Sequence, residues 1–376
     1  MLVSDNFLDF LNKKTLFYTK IEYDTIQKSW KQLSKYIKLP YVIHIVGTNG
    51  KGTTGRFLAS FLHQQKKSVL HYTSPHILKF NERIWINGSN VTDDELQKAH
   101  INLLEILPID LLEKLTYFEY TTLIALYLSS NFDYIVLEAG LGGEFDATNV
   151  VTNNITVVPS IGIDHKDFLG DTLVEIASTK LRSCDQRYIF GEKFDSEVID
   201  LTQTVLKDKE EIPFCNDLDF TFSNKLPQYI ISNATLALSV MKYLNLYSND
   251  LKLEILEGRC QKISSNITID VGHNPLAAHA LLEEFKNKKI NLIYNSYKDK
   301  DYEAILTILK PIIKKVFVIK IEDERIVDID KLLNTIKKLS LNGELFNFDQ
   351  LNNEEEHLVF GSFKVVEEFI SKFSTK

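Results

Sequence analysis

The stretch HIVGTNGKGTTG (44–55) gathers four glycines, one lysine and three threonines, in a chain with only 15 glycines among 376 residues. Glycine has no Cβ and tolerates positive φ, so such a stretch suits a backbone that must come very close to something anionic. A short apolar run, YVIHIV (41–46), precedes it, and the amphipathic segment TTGRFLASFLHQQ (53–65) follows. Strand, glycine-rich turn and helix in that order form a nest of N–H groups at the positive end of a helix. Lys51 adds a full charge suited to β and γ phosphates, and the Thr53 hydroxyl can ligate Mg²⁺. The spacing departs from G-x-x-x-x-G-K-[ST]: Ile45 stands five residues before Gly50, and Gly52 separates Lys51 from Thr53. The plainer use of these residues is a tight strand-to-helix turn carrying a surface lysine.

A second cluster is VLEAGLGGEFDATN (136–149), in which Glu138 ends an apolar run. A carboxylate there emerges at the carboxyl end of a strand, where open α/β sheets bind ligands. Kinase motifs with the HRD and DFG spacing do not occur, nor does a strand ending in Asp with a guanine-reading motif. No persuasive nucleophile triad is present either.

The elements that must position these residues follow from alternation along the chain. Apolar runs at 41–46, 68–74, 133–140 and 154–162 alternate with helical patterns at 53–65 and 119–130. Near-continuous apolar strands between helices predict a parallel sheet covered on both faces. A second series comprises strands at 266–275, 290–296, 315–320 and 356–363, with a helix over 276–287. The expected fold class is therefore α/β: a P-loop-type, mostly parallel domain over 1–257 and a smaller Rossmann-like domain over 258–376. The junction is placed at LEGRCQK (256–262), where a glycine and charges separate two patterns.

Composition narrows the classes. The net charge of −8, from 43 basic and 51 acidic residues, offers no global field for nucleic acid. An anionic ligand must be held locally. Cys184, Cys215 and Cys260 are dispersed and form no CxxC pair, as expected of reduced thiols in a cytoplasmic protein. The segment MLVSDNFLDFLNKK lacks the apolar core of a signal peptide, and no apolar run approaches the ~18 residues of a membrane span.

The segments HIVGTNGKGTT, TSPHILKFNERIWING, YFEYTTLIALYL, IVLEAGLGGEFDATN, IGIDHKDFLG, DVGHNP and FGSF occur in that order. Together they closely resemble the folylpolyglutamate synthase/dihydrofolate synthase family of the Mur ligase superfamily, from about residue 40 to about residue 366. The resemblance implies an ATP-dependent ligase that joins L-glutamate to dihydropteroate and to folates through an acyl phosphate. TYFEY and FGSF look most like the bifunctional bacterial form, with a monofunctional folylpolyglutamate synthase as the alternative. A cell-wall ligase acting on a muramyl nucleotide should lack the paired SPHILKFNERI and FDATN segments. A catalytically dead nucleotide-binding regulator is opposed by the joint presence of Lys51, Glu138 and His165.

By resemblance, Thr48, Asn49, Gly50, Lys51, Gly52 and Thr53 hold the nucleotide, with Asn233, Arg259 and Asp270. The implied ligands of Mg²⁺, expected as two ions, are Thr53, Ser74, Glu138 and His165. Histidine is an unusual Mg²⁺ ligand, so His165 has a hydrogen-bonding role as its alternative. Ser74, Phe118, Asp146, His273 and Ser362 are the implied substrate contacts. Asp146 would accept from the amino-pyrimidine edge of a pterin and Phe118 would stack on it, unless that ring is simply core. His273 is expected to reach the incoming glutamate after domain closure, and Arg259 to stabilise phosphoryl charge, its duller role being a helix-terminal cation. Lys51, Lys180 and His273 are the implied catalytic groups. Lys180 matches a lysine that the family carbamylates, although STKLRS departs from the usual EKAG context and a plain surface lysine competes. A further departure is Glu144, where the family usually shows arginine, which puts in doubt any phosphate or substrate contact made there.

Overall fold

The computed structural model describes residues 4–15, 23–223, 226–352 and 354–373. The chain divides into two compact units. The first comprises Met1–Ser74, Phe80–Ser223 and Ile231–Glu254; the second comprises Pro75–Lys79, Asn224–Ile230 and Ile255–Lys376.

The first unit is built on β1 (Tyr41–Ile45), β2 (Val69–Tyr72), β3 (Ile84–Ile86), β4 (Ser89–Asn90), β5 (Tyr134–Glu138), β6 (Ile155–Val158), β7 (Arg187–Phe190) and β8 (Glu210–Glu211). They form one sheet in the order β4-β3-β2-β5-β1-β6-β7-β8. Pairings from β2 through β8 are parallel, while β3 and β4 add an antiparallel edge. Every residue of β2 and β6 is buried, which explains why these runs carry few polar residues. The chain leaves β1 toward β2 on one side and leaves β6 toward β7 on the other. Their carboxyl ends therefore border the crevice where such sheets bind ligands. In this register Glu138 lies beside Ile45, so the carboxylate sits next to the strand that feeds the glycine loop.

Helix Lys51–Gln64 packs on the sheet with eleven residues from Gly52 to Leu62 buried. Helix Tyr117–Leu128 begins with a capping box, in which Glu119 N–H donates to the Thr116 side chain and Thr116 N–H donates back to Glu119. That box accounts for the acidic residue of TYFEY, which is buried at the helix start. The same device, Thr172 with Glu175, starts helix Leu173–Leu181, which carries Lys180.

The second unit contains β9 (Gln261–Lys262), β10 (Ile267–Asp270), β11 (Ile290–Tyr294), β12 (Ile313–Val318), β13 (Gly343–Leu345) and β14 (His357–Phe360). Their order is β13-β12-β11-β14-β10-β9, parallel except for β9 against β10. Helices Pro275–Phe285 and Phe363–Phe373 follow β10 and β14. Ile77 belongs to this unit's apolar cluster with Ile269, Val271 and Val359. Both sheets match the α/β expectation. The edge strands β3, β4, β8, β9 and β13 are two or three residues long, too short for a periodic pattern to reveal.

Candidate active site

The glycine loop begins where β1 ends. Gly50 caps helix Lys51–Gln64 in the left-handed region, at φ 83°. A Cβ there would lie 2.5 Å from Asn233 Oδ1, so both conformation and space demand glycine. Asn233, in helix Gln228–Tyr243, also accepts from the Thr54 hydroxyl at 3.2 Å. The loop is latched from the β6 side. Thr48 N–H donates to the Ser160 carbonyl at 2.8 Å, and the Thr48 hydroxyl donates to the Gly162 carbonyl at 3.0 Å. Ser160 Oγ accepts from Asn49 N–H and donates to the Asn49 carbonyl. Gly52 and Thr53 lie buried in the first helical turn.

Two lysines converge on one carbonyl. Lys51 Nζ donates to Gly47 O at 3.2 Å and to Thr48 O at 3.3 Å, and Lys180 Nζ donates to the same Gly47 O at 3.0 Å. Lys180 is only 4% exposed, so the surface-lysine alternative is excluded. Burial first, and the Lys51 charge second, bring its ammonium down to about 7. Such a lysine is substantially a neutral amine near neutral pH.

Glu138 ends β5 as a buried carboxylate. The Thr73 hydroxyl and Ser74 N–H donate to its Oε2, and Lys51 Nζ lies 4.0 Å from its Oε1. Ser74 is thus brought to Glu138 by the end of β2. His165 adopts a left-handed conformation at the start of Lys166–Leu169, half-exposed, with Nε2 3.9 Å from Asp164 Oδ2. Asp164 and Asp146 both act on the Lys180 charge, which places Lys51, Lys180, Asp146 and Asp164 in one electrostatic neighbourhood.

Asp146 is more committed than a pterin-reading role requires. Its Oδ1 accepts from Thr148 N–H and the Thr148 hydroxyl, and its Oδ2 accepts from Leu141 N–H at 2.7 Å. It is 4% exposed, and burial pushes its carboxyl upward against these bonds. Thr148 Oγ1 also lies 2.8 Å from His44 Nε2. With the hydroxyl proton spent on Asp146, His44 must donate through Nε2, which agrees with its Nδ1 having no partner among the described residues. Burial holds that imidazole neutral, at about 3. A buried chain His44–Thr148–Asp146–Leu141 thus ties β1 to the loop after β5. Phe118 stacks on Tyr72 with ring centroids 5.7 Å apart and stands over Gly140, whose Cβ would come within 2.7 Å of its Cζ. Glu144 is paired with Arg182 at 3.1 Å.

In the second unit, Asp270 ends β10 and accepts from Tyr229, Cys260 and Gly272. The His273 ring lies 3.2 Å from the Val271 carbonyl. The Arg259 guanidinium stands 5.2 Å from the Phe363 ring centroid. Ser362, the expected glutamate contact, is fully buried, and its hydroxyl accepts from Val365 N–H. A hydroxyl spent on the start of a helix is a cap, and that is what the serine of FGSF provides.

Among the described residues, no group of three or more His, Cys, Asp or Glu is arranged to hold a metal ion. Mg²⁺ does not require one: it keeps several waters and takes one or two carboxylates plus substrate phosphates. Glu138, with Ser74 N–H at its Oε2, and Thr53 in the first turn of helix Lys51–Gln64 are oxygen donors of that kind.

With this geometry in place, similarity to known proteins decides the family. The dihydrofolate synthase/folylpolyglutamate synthase of Haemophilus influenzae is 31% identical over 430 residues, covering 96% of this chain and 95% of its own. The chain belongs to the dihydrofolate synthase/folylpolyglutamate synthase family. The crystal structure of Helicobacter pylori folylpolyglutamate synthetase is 36% identical with a TM-score of 0.78, covering 99% of both chains. The Escherichia coli FolC structure in complex with DHPP and ADP is 26% identical with a TM-score of 0.82, covering 98% of this chain and 97% of that one. No family model matches the chain.

Four residues that position this family member's loops escaped the motif reading: Thr73, Ser160, His44 and Thr148. Ser160 follows a strand as part of PSIG, a turn signal without a chemical one. His44 lies inside an apolar run, where a histidine is most simply core.

Proposed function

We propose that this member of the dihydrofolate synthase/folylpolyglutamate synthase family joins L-glutamate to the carboxylate of dihydropteroate and to folates already carrying glutamate, with ATP as the phosphoryl donor. The observation that carries the reading is the meeting of Lys51, Lys180 and Glu138 at the glycine loop, in a chain similar end to end to the named synthases.

A carboxylate is a poor acyl donor. Accepting the γ-phosphoryl group makes it an acyl phosphate; the glutamate amine then attacks, and phosphate leaves. Phosphoryl transfer asks mainly for positioning and charge neutralisation. The N–H groups at the start of helix Lys51–Gln64 hold the phosphates, with Thr48 and Asn49 latching the loop to Ser160, and Lys51 supplies the charge that follows the transferring group. Glu138, Thr53 and Ser74, with His165 as a further ligand, would hold Mg²⁺, which would supply neutralisation of phosphate charge. Asn233, Arg259 and Asp270 serve the nucleotide, and His273 serves the incoming amine.

Lys180 is carbamylated in the active protein. Its neutral amine adds to CO₂, forming an N–C bond and releasing one proton, which turns the neutral amine into an anion suited to a second Mg²⁺. A ¹³C carbamate resonance after exposure to labelled bicarbonate, absent from Lys180→Met, tests this.

Phe118 lies beside the pterin, and Asp146 acts by closing the 141–148 loop around it. The dispersed, free cysteines and the use of ATP support a cytoplasmic setting. No helix among the described residues is long and apolar enough to cross a membrane. The likeness to the Helicobacter pylori protein favours a second reading, in which only the polyglutamate reaction occurs. Product mass analysis with dihydropteroate as sole acceptor separates the two: dihydrofolate formation supports the bifunctional reading, and its absence supports the monofunctional one.

A further inference from the structure

Arg259 sits in a turn that the backbone does not favour. Gly258 has φ 70° and Cys260 has φ 44°, so a non-glycine residue occupies the left-handed region one position after the arginine. Such conformations persist when the surroundings over-determine them. Gly258 is wedged in place, since a Cβ there would come within 2.8 Å of both Ile77 and Val271. Its carbonyl accepts from Val271 N–H at 3.0 Å, and its N–H donates to Gln261 Oε1 at 2.8 Å. Cys260 is held differently: its N–H donates to Asp270 Oδ2 at 2.9 Å.

Asp270 is 5% exposed, and its carboxylate gathers three segments. Oδ2 takes the Cys260 N–H and the Tyr229 hydroxyl, each at 2.9 Å. Oδ1 takes Gly272 N–H at 2.8 Å, from the loop that carries His273. Two of these donors are backbone groups. The third, Tyr229, comes from the first turn of helix Gln228–Tyr243 and can be removed as a single atom.

We propose that Tyr229 is a positioning residue: through its bond to Asp270 it holds the Gly258–Cys260 turn and so orients the guanidinium of Arg259. This rests on the ligase reading, in which Arg259 serves the transferring phosphoryl group. Asp270 thereby also scaffolds that turn.

The test uses Tyr229→Phe, Arg259→Ala and the double variant in the full chain, with two readouts. Hydrogen exchange over 259–261, which needs no activity, should accelerate about tenfold in Tyr229→Phe while exchange in the strands of both sheets stays unchanged. In steady-state assays, Tyr229→Phe should lower kcat about tenfold with the KM for the folate acceptor unchanged. Arg259→Ala should cost about a hundredfold or more, and the double variant should lose nothing further. Unchanged exchange over 259–261 overturns the clamp. Equal loss from Tyr229→Phe in both backgrounds overturns its action through Arg259, as does undiminished kcat. A wild-type protein inactive with every acceptor counts against the ligase reading alone, and the exchange result then decides the clamp by itself.

Discussion

Lys51 and Lys180 both reach the Gly47 carbonyl, yet their tasks separate by burial. Lys51 keeps some exposure at the glycine loop, its ammonium bonded to loop carbonyls rather than packed in an apolar core, so Lys51→Ala should fold normally and lose on the order of 10³-fold in turnover. Near-full ligase activity in a folded Lys51→Ala protein, by steady-state assay, contradicts the phosphate-loop assignment. Lys180 carries a signature in stability as well. In the folded chain it gives up its proton near pH 7, whereas the unfolded chain holds it to about 10.5. Between those values the unfolded state binds the extra proton, so stability rises with pH across the window. In CO₂-free buffer, the unfolding free energy of wild type minus that of Lys180→Met should climb from pH 7 to 9, measured by urea titration. A difference that stays constant contradicts the burial argument.

At the scale of elements, the glycine loop is held from two directions: Asn233 against Gly50, and Ser160 and Gly162 against Thr48 and Asn49. Gly50→Ala must place a Cβ at φ 83° and move the Asn233 side chain away. It should cost about 1–3 kcal/mol of stability and weaken ATP binding at least tenfold, by denaturation and calorimetry. Wild-type values in both would show that the loop does not depend on this approach. The long buried strands and the helices after them were legible because burial on both faces leaves a near-continuous apolar run. The short edges were not, because two or three residues have no period. Within the site, the glycine loop and the strand-end carboxylate Glu138 were legible from residue type and order, whereas Lys180 entered only through the family resemblance. The clasping roles of Asp146 and Ser362 were not, since a carboxylate or hydroxyl near a ligand site has the same one-letter code when it serves its own backbone. Only the bonds to Leu141, Thr148 and Val365 distinguish the two uses.

Across the whole molecule, the first unit carries the glycine loop with Lys51, Lys180 and Glu138, and the second carries Arg259 in the turn at 258–260, Asp270 at the end of β10 and His273 in the loop after it. The ligation makes turnover depend on three substrates together, which a nucleotide-binding regulator would not show. The direct measurement is phosphate release with product mass analysis, using purified protein, ATP, Mg²⁺ and L-glutamate, with dihydropteroate or a folate as acceptor. The account predicts one phosphate released per amide formed with each acceptor, and none when glutamate or the acceptor is omitted. ATP consumption that yields no glutamyl product with either acceptor would contradict it.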